Sequence, residues 1–173
     1  MRRAGSAILL VAALSACSTN DASSQGGEPF YVRHSMQAQV NPAVTRIWDV
    51  GNAAMDDTGG IDPALMDDAQ WKRLAEASAA LEASGRKMAA AHTLRAAEPE
   101  NWATEEFAVS MDQVQAALDA DPEQFRQLAA GLAEHAAQLN AAAQARDAGR
   151  AGEIVAQMDS ICAGCHTQFW GAE

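Results

Sequence analysis

What this sequence lacks excludes several classes of protein. No stretch alternates apolar and polar residues over a useful length, and β-branched residues are sparse, so a strand-based core is not expected. Basic residues are few. The 12 Lys and Arg against 23 Asp and Glu argue against nucleic acid and against attraction to an anionic lipid surface. A macromolecular partner met through charge should be basic or meet a local patch, although an acidic surface also serves solubility alone. No internal repeat or second domain is visible. No acid–base pair, nucleophile constellation or phosphate-binding loop points to an enzyme with turnover of its own.

The front of the chain carries a different signal. Arg2 and Arg3 precede a short apolar run, Ala7 to Leu14, which is too short to span a bilayer and fits a secretory signal. Leu14-Ser15-Ala16-Cys17 resembles the lipobox of bacterial lipoproteins, in which the cysteine is lipidated and becomes the mature N-terminus; an ordinary signal peptide beside an incidental Cys is the alternative. The resemblance implies a lipoprotein signal peptide over 1–16 and a membrane anchor at Cys17. With Ser18 rather than Asp after that Cys, it implies the periplasmic face of the outer membrane in a Gram-negative host. Residues 17–28 are small and polar, as a flexible tether would be. Residues 17–173 make 157, one domain's worth, with 10 basic and 23 acidic residues and a formal net charge of −13 once Arg2 and Arg3 are gone. A single folded domain is expected over 29–173.

That domain reads as helix. Four segments repeat apolar positions at spacings of three and four: Met36, Val40, Ala43, Ile47, Val50 and Ala54; then Trp71, Leu74, Ser78, Leu81, Gly85, Met88 and His92; then Phe125, Leu128, Leu132, His135, Leu139 and Ala143; then Ile154, Met158, Ile161 and Cys165. Asp67 and Asp68 suit a helix start, and Asp121-Pro122 another. A short extra helix over Ser110–Leu118, capped by Ser110, lies in the long connection. Pro42 should kink the first helix or split it after Val40. Four amphipathic helices of this kind predict an all-α fold, an antiparallel four-helix bundle.

Chemistry concentrates near the end, in Cys162-Ala163-Gly164-Cys165-His166. C-x-x-C-H is the attachment signature of haem c: each thiol adds to one of two haem vinyl groups, and the next residue's imidazole reaches the iron. A thioredoxin-like redox pair would need a strand before the motif and a helix after it. A structural zinc site would need a fourth ligand, and there is no second Cys pair. A simple Cys162–Cys165 disulfide is the remaining rival. Lipid on Cys17 and one covalent haem on Cys162 and Cys165 use all three cysteines of an exported chain. His92 and His135 read as hydrogen-bonded histidines at the bundle edge, and Trp48 and Trp71 as core or haem-packing residues. Met55, Met66, Met88, Met111 and Met158 read as packing.

The C-terminal C-x-x-C-H on a four-helix chain resembles the cytochrome c prime family, the class II c-type cytochromes, over roughly residues 30 to 171. More narrowly, Met36, Val40, Pro42, Ala43 and Trp48, with Phe169 and Trp170 after the motif, are similar to bacterial cytochrome c prime-like proteins. The resemblance implies haem held near the C-terminus of the fourth helix, with His166 as the proximal ligand of the iron and the first helix across its other face. Trp170 would shield one haem edge. Members commonly carry a basic residue after the motif, near the haem propionates. This chain has "TQFWGAE" there, which leaves Arg33 or Arg46 for that role. Met36, on the first helix's stripe, is the candidate sixth ligand, with core filler as its alternative; His34, about 200° away, faces solvent. The functions implied are a membrane-anchored periplasmic electron carrier, a five-coordinate protein binding nitric oxide or carbon monoxide, or a haem subunit of a larger membrane redox complex. The redox partner protein is not named by the sequence, and a homodimer is left open.

Overall fold

Helix-capping side chains define the elements of the computed structural model, which describes residues 28–104 and 108–171. The first helix comprises α1 (Val32–Ser35), a π-turn (Met36–Val40) and α2 (Asn41–Ala53), continuous in backbone. Helix α3 (Asp68–Ala89) begins where the Asp67 carboxylate accepts from the Gln70 amide at 2.8 Å. Helix α4 (Met111–Ala120) opens on a full capping box, Ser110 with Gln113. Helix α5 (Pro122–Ala145) starts on Asp121, whose carboxylate accepts from the Gln124 amide at 3.0 Å, with Pro122 in the first turn where its missing N–H costs nothing. Arg146, left-handed at φ 56°, ends α5. Asp147 then caps α6 (Ala148–Phe169) through the Arg150 amide.

Cross-contacts give the topology. Asp68 pairs with Arg146 at one end of α3 and α5, while Arg126 donates to the Ala91 and His92 carbonyls at the other, so the two helices run antiparallel. Helices α5 and α6 are antiparallel too, through Gln138 with Arg150, His135 with Ile154, and an edge-to-face Phe125–Phe169 pair at 5.4 Å. The first helix closes the ring against α3 and α6. The expected antiparallel four-helix bundle is the fold, with α4 as the added short helix. Its core includes Ile47, Leu74, Leu81, Leu139, Ile154 and Met158, all fully buried, together with Trp71. Among the described residues no helix is long and apolar enough to cross a membrane. The signal segment, Cys17 and nearly all of the tether lie outside the described residues.

Several expectations need correction. Around Pro42 the chain stays helical, and the change after Val40 is one of helix type: a π-turn (Met36–Val40) gives way to α2, with no loop between them. His92 is exposed, because α3 ends at Ala89, a turn short of it. Met55 is exposed, at the start of the loop to α3, rather than packed, whereas Met66, Met88, Met111 and Met158 are buried as expected. A two-residue parallel pairing, β1 (Phe30–Tyr31) with β2 (Leu94–Arg95), ties the start of the first helix to the α3–α4 connection.

Candidate functional site

At 100° per residue, Cys162, Cys165 and His166 fall within about 100° on one face of α6; the two cysteines are half-buried, while His166, like Ala163 and Gly164, is exposed. That face looks into a cavity of about 270 Å³, open on one side. Helix α5 contributes Phe125, Leu128, Ala129 and Leu132; α3 contributes Met88; α6 adds Ile161. The opposite wall is the first helix, through Met36, Val40, Asn41, Val44, Thr45 and Trp48. A smaller cavity of about 20 Å³ lies beyond, sharing Met36, Phe125, Cys165 and His166 with the first and adding Val32, Phe169 and Trp170.

The thiols are half-buried and unpaired. Burial first, and then the neighbouring Asp159 carboxylate, push the Cys162 thiol above its ordinary range. Burial, then Cys162, push Cys165 up to about 11. Both are therefore protonated thiols at neutral pH. Redox-active C-x-x-C pairs need the reverse, a lowered pKa such as a helix N-terminus provides, and here the motif occupies the last turns of α6. Among the described residues no group of three or more His, Cys, Asp and Glu is placed to hold a metal ion by itself. An apolar cavity with two protonated thiols and an imidazole on one wall fits a covalently attached apolar macrocycle, and its size lies near the lower end of the usual range for cofactor pockets.

The remaining residues singled out from the sequence distribute as follows. Met36 and His166 line the cavity from facing helices. His34 is exposed, with Nδ1 3.1 Å from the Glu98 carboxylate, and is not among the cavity residues. Arg33 spends its guanidinium on the Asn101 and Ala103 carbonyls at 2.7 and 2.9 Å, and Arg46 is exposed outside the lining. Among the described residues no Lys or Arg lines the main cavity. Trp170 caps α6, its amide donating to the His166 carbonyl at 2.8 Å, and lines the smaller cavity rather than the main one. Trp48 is 37% exposed, standing on the wall near solvent instead of in the core. His135 is buried, its Nε2 2.9 Å from the Ile154 carbonyl.

Sequence reasoning missed Asn41 and Thr45, the polar residues on the cavity's far wall. Their signal was present: Asn41, Thr45 and Trp48 share one helical face, but polar residues beside an apolar stripe read as solvent-facing.

Searches among curated proteins and solved structures found no match. A family model described as Cytochrome C' matches residues 57–170, more than half of the chain, spanning α3 to α6 and the whole C-x-x-C-H but not the first helix. With its helical bundle and the thiol-lined cavity, the chain belongs to the cytochrome c' family, whose members carry covalently bound haem c.

Proposed function

We propose that the protein is a monohaem electron carrier held on the periplasmic side of the membrane by lipid on Cys17, with Cys162 and Cys165 as thioether anchors, His166 as proximal ligand and Met36 as sixth ligand. When bound, the haem supplies one-electron chemistry between ferric and ferrous iron. The chain's part is to hold and insulate it. Val40, Val44, Leu128 and Leu132 exclude water from its faces, which favours the less charged ferrous state. A thioether at the sixth position also raises the potential and closes the site to added ligands. No turnover of its own is assigned.

The observation that carries this reading is the placement of Met36 and His166 on facing walls of one cavity. The apolar Val40 and Val44 of the far wall favour a second reading, in which Met36 is only wall and the iron binds nitric oxide or carbon monoxide. Spectra separate the two. A ferric protein that is low-spin, shows the thioether-to-iron charge-transfer band and resists carbon monoxide supports the carrier, with Met36→Ala converting it to a high-spin, gas-binding form. An unmutated protein that is already high-spin and takes up carbon monoxide supports the second.

A further inference from the structure

The first helix presents two neighbouring faces to the bundle, and Met36 lies on the one its spacing does not predict. Val40, Asn41, Val44, Thr45 and Trp48 line the cavity and, at 100° per residue, span an arc of about 140°. Ala43, Ile47 and Val50 occupy the adjoining arc, are buried to 1% or less, and do not line the cavity. Counted back along an unbroken α-helix, Met36 falls between Ala43 and Ile47, in the core. Yet it is half-buried and lines the cavity.

The π-turn accounts for the difference. The Asn41 amide bonds to the Met36 carbonyl five residues back, which fits one extra residue into the turn and displaces everything before it by roughly 100°. That displacement carries Met36 to the middle of the cavity arc. It also turns Ser35 into the core position Met36 would have taken. Ser35 is accordingly 2% exposed, and its hydroxyl has no hydrogen-bond partner among the described residues. An unpaired hydroxyl in a core slot is costly, so side-chain preference alone favours the regular helix.

Two features oppose that preference. Pro42 has no N–H for the Ala38 carbonyl, and its ring would press on that carbonyl in a regular helix; the wider turn relieves both. At the other end, the Arg33 amide donates to the Ala96 carbonyl at 2.9 Å and its guanidinium grips Asn101 and Ala103, fixing the phase of α1. We propose that Pro42, working against this anchored end, keeps the first helix in its π-turn and thereby aims Met36 into the haem cavity instead of the core. Pro42 is then a positioning residue for the sixth coordination position.

The spectral consequence rests on Met36 being the sixth ligand; the placement of Met36 does not. Both are read on the holoprotein labelled with methyl-¹³C methionine, the Met36 resonance being assigned by its loss in Met36→Ala. In Pro42→Ala, and more fully in Pro42→Ala with Arg33→Ala, the Met36 methyl loses most of its haem-induced shift and the low-spin fraction falls with it. Deleting Ala38 in the Pro42→Ala background makes a regular helix with Met36 in its original phase, and restores both signals; a general loss of stability would not be rescued by a deletion. If Met36→Ala leaves the spectrum unchanged, the ligand assignment fails while the methyl shift still reports on Pro42. Retention of the full methyl shift in both Pro42 variants overturns the proposal.

Discussion

Two seams on opposite sides of the bundle, alanine-rich α3 against α5 and alanine-poorer α2 against α6, reach opposite results. In the first, Gly85 lets the backbones approach so closely that a Cβ there would stand 2.9 Å from the Ala133 amide nitrogen and 3.0 Å from the Ala129 carbonyl oxygen. Arg146 with Asp68 and Arg126 with the last carbonyls beyond α3 fasten its two ends. In the second seam, contact is close only at one end, where Gly51 faces Val155 and Gly152 meets the Ile61 backbone. Farther along, α2 and α6 scarcely touch, and the space between them is the cavity. Closely packed helices on one side therefore serve as the frame that lets the other side stand open, and a bound apolar group completes the open seam.

The largest effect should come from leaving that seam empty. Cys162→Ala with Cys165→Ala removes both attachment points, so no pigment should survive acid–acetone extraction. The melting temperature should fall by roughly 10 °C or more against the holoprotein, since a group bound only to the folded state stabilises it by mass action. Covalently held haem in the double variant would remove the basis of the comparison.

Next in size is a test of which seam carries the packing. Gly85→Val forces backbone apart on the closed side and should cost about 2–3 kcal/mol in urea unfolding, with the haem spectrum unchanged. Leu128→Ala, at a half-buried position on the cavity wall, should cost only about 1 kcal/mol and instead alter the spectrum or the potential. The reverse pattern would mean that the open seam is the stabilising one.

Much of this division was legible beforehand. The four stripes, the caps at Asp67, Ser110 and Asp121, and C-x-x-C-H all state local rules that the fold obeys. The π-turn was not legible, since periodicity assumes a constant rotation per residue and Met36 fits the core stripe only under that assumption. His92 was placed one turn too far because Ala90 and Ala91 carry no stop signal. The cavity was hidden for another reason: residues such as Val44, Leu128 and Ile161 are apolar whether they face a neighbour or a bound group. The β1–β2 pairing is two residues long, below what alternation can reveal.

The smallest effect distinguishes packed core from cavity by pH. His135 is buried between α5 and α6, and because a carbonyl can only accept, its Nε2 carries the hydrogen donated to Ile154. Burial is the main reason its pKa lies below the ordinary 6.5; the Ile154 hydrogen bond raises it in part, and the nearby Arg150 charge lowers it further. Above about pH 6.5 the ring is neutral in folded and unfolded chains alike and contributes no pH dependence. As pH drops below 6.5, the unfolded chain takes up a proton that the folded one refuses, so stability falls until the folded pKa is reached and is level below it. His135→Leu gives up a hydrogen bond of about 1 kcal/mol but should remove this component of the slope between pH 7 and pH 5. The measurement is the difference in urea midpoint between the two proteins across that range. A constant difference would place the titration elsewhere, and a difference that shrinks as pH falls would locate it at the packed α5–α6 contact, away from the haem cavity.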